Sequence, residues 1–395
     1  MSDKAVIVEA VRTPIGRFQG GLAEVPAPKL GAVCLKAVLE RASVDPGLID
    51  EVIMGNVVQA GLGQNPARQA AIFGGVPPAV SAMTLNKVCG SGLKAVALAA
   101  QAIRAGDASC VLAGGMENMS RIPYALFGAR DGLRLGHGQV TDLMVHDGLW
   151  DAYNDYHMGM TAELVVEKYG ISRERQDAYA AESQRRAVAA RDGGEFAREI
   201  APVDVPQRKG DPVRILHDEG PRADAGVASL AKLRPAFKRD GGTVTPGNAS
   251  TINDGAAALL VCGEKFARSQ GLRVRAVIDG YATGAVEPQW VMMAPVRALS
   301  NLLGRLACKL EAFGLFELNE AFAAQAVAVI QESGLDPAQV NVRGGGIALG
   351  HPIGASGARI LVTLLHAMED RGVKRGIATL CLGGGDAVAL AISLP

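Results

Sequence analysis

The chain has 395 residues, 49 % of them hydrophobic, enough for one or two substantial cores, which excludes a disordered chain. Forty basic residues balance forty acidic ones, so no net charge draws it to nucleic acid or an anionic membrane, and only a local cationic groove for a small phosphorylated ligand is left open. Forty-nine glycines against 4 % aromatics point to tight turns and close backbone approaches, and lean toward α/β.

In chain order, "KAVIVEAVRTPIG" reads as a buried strand ending in a Pro-Gly turn, and residues 28–42 have helical periodicity. "IDEVIMGNVVQ" is the next strand. Residues 81–115 form one unit: a short lead, a glycine-rich start carrying Cys89, a helix, then the strand "ASCVLAGG". From about 118 to 245 charges, Met and His accumulate around isolated helices at 158–170 and 172–194. Ser172 is the expected N-cap of the second, and Gly193 and Gly194 its stop. This stretch reads as an insertion covering one side of a core. Alternating α/β order resumes near 243. "HPIGASGARILVTLLHAMEDRG" followed by "GIATLCLGGG" then parallels "VCGSGLKAVALAAQAIRAG" followed by "ASCVLAGG", which points to two related halves.

The N-terminus has Asp3 and a short apolar run before Arg12, which is not a signal-peptide pattern, and the apolar stretches are too short for a membrane span. Six cysteines, at 34, 89, 110, 262, 308 and 381, show no CxxC pair. They read as free thiols in a reducing compartment, so a cytoplasmic location is expected.

Three positions stand out for chemistry. Cys89 precedes a helix, where free N–H groups and the helix dipole lower a thiol's pKa; the competing reading is an inert buried cysteine. His351, in "GGGIALGHPIGASGARI", has the pKa range for proton transfer, against a purely structural histidine. Cys381 ends an apolar strand before Gly383, Gly384 and Gly385, which can turn an amide into a pocket. Asn319, in "LFELNEAFAAQ", is either an N-cap or a donor to a water or an oxyanion. A zinc site built from two cysteines and a histidine is set aside, because the residues are far apart and zinc would quench the nucleophile. No GxxxxGK[ST], GxSxG, HExxH or dinucleotide fingerprint is present.

"NKVCGSGLKA", "YHMGMTAE", "KLRPAF", "TVTPGNASTINDGAAA", "ELNEAFAAQ", "GHPIGASGAR" and "CLGGG" follow one another across nearly the whole chain, and together they resemble the thiolase family, in its biosynthetic acetoacetyl-CoA type. The resemblance implies an α/β thiolase-like fold of two similar βαβαβαββ halves in five layers. The first half would be residues 1–117 and 246–270, the second 271–395. Residues 118–245 would form a loop domain that covers coenzyme A and carries a tetramerisation loop, in a homotetramer built as a dimer of dimers.

It also implies acetyl-CoA C-acetyltransferase activity: two acetyl-CoA condense reversibly to acetoacetyl-CoA and CoA through an acetyl-Cys89 intermediate. His351 would be the base for Cys89 and Cys381 the acid/base at the α-carbon. One oxyanion site would be made by His351 with a water held by Asn319, the other by the N–H groups of Cys89 and Gly383. His157 and Met158 would line the acyl site, Ser250 the pantetheine, and Arg222 the nucleotide. No cofactor is implied beyond coenzyme A as carrier, nor any metal, nucleic acid or membrane.

Several positions depart from the family pattern. "VMMAPVRA" replaces Met-Gly-x-Gly-Pro, Gly220 a histidine, Thr251 a glycine, and Asp386-Ala387 a small pair. A buried Asp386 needs a backbone or cationic partner. The competing readings are a degradative 3-ketoacyl-CoA thiolase for longer chains and a non-catalytic acyl-CoA or lipid-binding protein. The second would be expected to lack Cys89, His351 or Cys381. A decarboxylating condensing enzyme would be expected to have a second histidine in place of Cys381.

Overall fold

Strand β1 (Ala5–Arg12) is buried on both faces: Ala5 and Ile7 enter one core, Val6 and Val8 another. The protein, described here over residues 3–395 of a computed structural model, repeats this alternation along its long strands. Strands of four or more residues are β1, β2 (Glu51–Gly55), β3 (Ser81–Leu85), β4 (Cys110–Asn118), β5 (Asn253–Gly263), β6 (Ala276–Thr283), β7 (Leu315–Leu318), β8 (Arg375–Leu382) and β9 (Asp386–Ser393). They lie in the order β7-β8-β9-β6-β1-β5-β4-β2-β3, with the short strand Gly16–Arg17 pairing with β5. The pairs β2–β3, β2–β4 and β7–β8 are parallel and the others antiparallel. β1 meets β6 through Val6↔Val277 and Ile7↔Ala276, and this short seam joins the two halves of the sheet.

Helices of eight or more residues are α1 (Ala27–Ala42), α2 (Pro66–Phe73), α3 (Ser91–Ala105), α4 (Met158–Tyr169), α5 (Arg173–Asp192), α6 (Ala294–Leu306), α7 (Ala323–Ser333) and α8 (Ile353–Arg371). α3 and α8 lie between the halves of the sheet, against Ala257, Leu259 and Val261 of β5 and Leu380, Leu390 and Ile392 of β8 and β9. The alternate residues of β5 face α1 and α2, and Ala387, Ala389 and Ala391 of β9 face α6 and α7. Helix, sheet, helix, sheet, helix are the five layers expected.

The central crossing depends on glycine. A Cβ on Gly92 would sit 2.7 Å from Ala358 N, and one on Gly357 would sit 2.5 Å from Leu93 N. Each glycine follows a serine at the start of its helix, so the Ser-Gly pairs of the two halves pack reciprocally.

The segment between β4 and β5 contains α4, α5 and three short antiparallel pairs. Ser172 caps α5 by accepting from Arg175 N at 3.3 Å, and the helix ends before Gly193. Arg12, at the end of β1, ties this segment to the core: it donates to both oxygens of Asp218 (2.6 and 2.9 Å) and to Glu199 (2.6 Å). All three side chains are buried, so removing one would leave uncompensated charge, at a cost of about 3–5 kcal/mol. Among the described residues no helix is long and apolar enough to cross a membrane.

Candidate active site

Cys89 lies in the loop between β3 and α3, just before the N-cap Gly90. Ser91 Oγ shapes this loop, accepting from Lys87 N (2.8 Å) and donating to Val88 O (2.6 Å). Val88 is held at φ +45°, a conformation that costs a β-branched residue about 1–3 kcal/mol and persists only where its surroundings impose it. Any side chain at Gly90 would strike Leu382, so glycine lets the loop lie against β8. Cys89 is half-buried, and its own N–H and that of Gly383 are directed at Sγ. Burial outweighs them and, with the charge of Glu117, pushes the thiol up to about 12. This corrects the expectation of a lowered pKa: at rest Cys89 is a thiol and needs a base.

His351 stands just ahead of α8, anchored by its N–H to Asn253 Oδ1 at 2.9 Å. Gly350 precedes it at φ +110° and packs on the Asn253 amide, a place without room for a side chain. Ser356 Oγ is 2.6 Å from His351 Nδ1 and donates its own hydrogen to Pro352 O at 2.9 Å. It therefore accepts from Nδ1–H, and this network leaves Nε2 unprotonated. Burial, then the positive charge of Arg359, push the imidazole down to about 3, so the ring is neutral. Asn319 is fully buried and donates its N–H to Thr379 O at 3.0 Å. Its Nδ2 lies 3.5 Å from both ring nitrogens of His351, and its Oδ1 has no hydrogen-bond partner among the described residues. It is not an N-cap, because α7 begins at Ala323 after Phe322.

Cys381 lies near the end of β8 and is almost fully buried; burial, then a charge on Cys89, raise its pKa strongly. Gly384 and Gly385, at φ +88° and +89°, turn the chain into β9, bringing Leu382 opposite Asp386. Asp386 is half-buried, and it has both kinds of partner expected of it: the Lys87 ammonium and the Ala387 N–H, at 2.7 Å.

Cys89, His351, Cys381 and Gly383 line one cleft of about 660 Å³, together with His157, Met158, Arg222 and Ser250. Asn319 reaches this group through His351. His157 caps α4, its Nδ1 accepting from Gly159 N at 3.0 Å, and stacks on Phe237 at 4.8 Å; Phe237 meets the edge of Phe322 at 6.0 Å. Ser250 is set by its N–H to Ala321 O (2.9 Å), and Arg222 by its N–H to Gln184 Oε1 (2.8 Å). Among the described residues no three His, Cys, Asp or Glu side chains are grouped to hold a metal ion.

Nothing in the sequence alone gives Ser356, Phe237 or Glu117 a role. Ser356 and Phe237 are inside motifs quoted above, but only folding shows what they touch. Glu117 is fully buried and accepts from Asn56 Nδ2, Val57 N and Gly354 N, each at 2.9 Å, joining β4, the loop after β2 and the start of α8. Burial raises its pKa to about 7 despite these donors.

Two family profiles cover the chain: "Thiolase, N-terminal domain" matches residues 5–265 and "Thiolase, C-terminal domain" residues 272–394. The chain belongs to the thiolase family. This thiolase is 58 % identical to an acetyl-CoA acetyltransferase of Pseudomonas aeruginosa and 57 % identical to one of Cupriavidus necator, with 98 % of both chains covered in each case. It is 53 % identical to a probable acetyl-CoA acyltransferase of Staphylococcus aureus, over 99 % of both chains. The crystal structure of the Bacillus anthracis acetyl-CoA acetyltransferase matches it with a TM-score of 0.98 at 43 % identity, over 100 % of this chain and 99 % of that one. The thiolase segment that departs from the family pattern forms a 3-10 turn, Pro288–Met293, running into α6, and its Val291 and Met292 line the cleft.

Proposed function

We propose that this thiolase is an acetyl-CoA C-acetyltransferase that condenses two acetyl-CoA to acetoacetyl-CoA and CoA, reversibly, through acetyl-Cys89. The observation that carries this reading is the convergence of Cys89, neutral His351 and Cys381 in one cleft, with the Gly383 N–H directed at the Cys89 sulfur.

The proton inventory follows from the resting states. His351 Nε2 takes the proton of Cys89 as the sulfur attacks the thioester carbonyl. The oxyanion accepts from the N–H groups of Cys89 and Gly383. Cys381, a thiol at rest, protonates the departing CoA thiolate and is left as a thiolate. That thiolate removes an α-proton from the second acetyl-CoA, whose enolate oxygen accepts from the His351 imidazolium and from a water held by Asn319. The enolate carbon attacks acetyl-Cys89, the C–S bond breaks, and His351 returns its proton to the Cys89 thiolate. Every group ends as it began.

In the same reading His157 and Met158 bound the acyl site, Ser250 lies along the pantetheine, and Arg222 faces the nucleotide phosphates. Coenzyme A is the carrier and no resident cofactor takes part. Residues 118–245 act as a loop domain on halves formed by 1–117 with 246–270 and by 271–395. The protein works as a cytoplasmic homotetramer. What supports the tetramer is the pair of strands Tyr124–Leu126 and Val140–Asp142 with its loop, which expose Tyr124, Phe127, Leu133, Leu135 and Val140 to solvent.

Thiolysis of acetoacetyl-CoA and 3-ketohexanoyl-CoA, run beside Cys89→Ala, tests this. Turnover strongest on acetoacetyl-CoA and lost in the variant is expected. Equal or greater turnover on the longer chain would make it a degradative thiolase, and none on either substrate would leave an acyl-CoA-binding protein.

A further inference from the structure

Lys87 and Asp386 form an ion pair between the loop that carries Cys89 and the loop that carries Gly383. Lys87 comes two residues before the nucleophile. Asp386 follows the glycine run 383–385, opposite Leu382 in the ladder, and its Oδ1 accepts from Ala387 N at 2.7 Å. The two loops come from different halves of the chain. They touch where Leu382 fills the space before Gly90 and where Val88 Cγ1 lies 3.2 Å from the Cβ position of Gly383. Among the described residues no other ion pair joins them.

The side chains of this pair are 27 % and 29 % exposed, a setting in which an ion pair adds little to stability. Its location gives it another use. The backbone on either side has little preference of its own for the active geometry: Val88 is at φ +45°, and Gly384 and Gly385 are glycines in the left-handed region. An external tie is needed to fix Gly383 N relative to Cys89.

Building on the thiolase reading, we propose that Lys87 and Asp386 are positioning residues for acyl transfer, a clamp that holds the Gly383 N–H in register with the oxyanion formed at Cys89. Neither touches the reacting atoms. The clamp acts on the transition state and not on coenzyme A binding, so its loss lowers kcat and leaves KM in place. Lys94 of α3 also faces both groups: Lys87 repels its ammonium and Asp386 attracts it. Lys87→Met therefore leaves Asp386 a substitute partner, and Asp386→Ala is the sharper variant.

The test compares the wild type, Asp386→Ala, Lys87→Met and the charge swap Lys87→Asp with Asp386→Lys. Each is assayed for acetoacetyl-CoA thiolysis, iodoacetamide alkylation of Cys89 followed by mass, and melting temperature. Asp386→Ala is expected to lower kcat about 10-fold or more, less than outright loss of an oxyanion donor, with KM within about twofold. It should also slow alkylation, because the Gly383 N–H no longer supports the thiolate, and Lys87→Met should fall between it and the wild type. The swap should restore most of kcat at an unchanged melting temperature. Wild-type kcat and alkylation in Asp386→Ala would overturn the clamp, as would a parallel loss of kcat and melting temperature that the swap does not repair. A wild type inactive on every 3-ketoacyl-CoA would overturn the thiolase reading instead, and the alkylation rates would still decide whether the clamp orients Gly383.

Discussion

Ser356 Oγ lies 2.6 Å from His351 Nδ1 and simultaneously donates to Pro352 O, so one hydroxyl one helical turn into α8 selects the imidazole tautomer. The serine faces the ring because α8 begins at Ile353 and Pro352 supplies the carbonyl that takes its hydrogen. A basic Nε2 in the cleft is the consequence.

Ser356→Ala removes that choice. The ring can then protonate at Nε2 and lose its lone pair toward Cys89, so kcat for thiolysis is expected to fall about 10- to 100-fold, short of the roughly 10⁴ seen where a charged orienting group is lost. KM should change little. Wild-type kcat in this variant would show that the tautomer is set elsewhere.

The raised thiol of Cys89 makes a pH prediction. Burial pushes the Cys89 thiol up to about 12 and the His351 imidazole down to about 3, so both groups are neutral through the physiological range. The thiolate fraction then rises about tenfold per pH unit, so alkylation of Cys89 by iodoacetamide in the free enzyme should climb steadily from pH 7 to 10. A plateau near pH 7 would mean a preformed thiolate–imidazolium pair.

His366 carries a stability prediction. Its Nε2–H donates to Ala10 O at 3.1 Å, and burial, then Arg275, lower its pKa to about 3. The unfolded chain, with a histidine near 6.5, binds the extra proton between these values. This group's contribution is therefore fully present above pH 6.5 and is lost as pH falls toward 3, by up to about 1.4 kcal/mol per unit. Urea midpoints of the wild type and His366→Gln should diverge on going from pH 7.5 to 5, with the wild type losing more. Parallel curves would place the acid sensitivity in other groups.

The helix crossing makes a packing prediction. Gly357→Ala puts a Cβ 2.5 Å from Leu93 N, which is backbone and cannot step aside. A destabilisation of about 1–3 kcal/mol is expected from overpacking, together with lost activity, because α3 and α8 position Cys89 and His351. Gly106→Ala tests the contrast: at φ +85° with open space around it, it should cost backbone strain and leave kcat intact. Equal loss of activity in both would deny the crossing a special role.

The sequence by itself determined a good deal. The largely apolar run in "KAVIVEAVRTPIG" marked a buried strand, because period-two side chains that are apolar on both faces must enter two cores. Ser172 and Gly193 bounded α5 through capping chemistry that is local. The ordered motifs carried the family and its three reactive residues, and the repeated Ser-Gly unit announced the two halves. Tertiary structure decided what depends on burial and on partners distant in the chain. It turned Cys89 from an expected thiolate into a thiol, since desolvation outweighs two N–H groups, and it withdrew Asn319 from helix capping. It gave Asp386 its partner in Lys87. It also brought out Ser356, Phe237 and Glu117, whose roles follow from side chains that become neighbours only when the two halves close on α3 and α8.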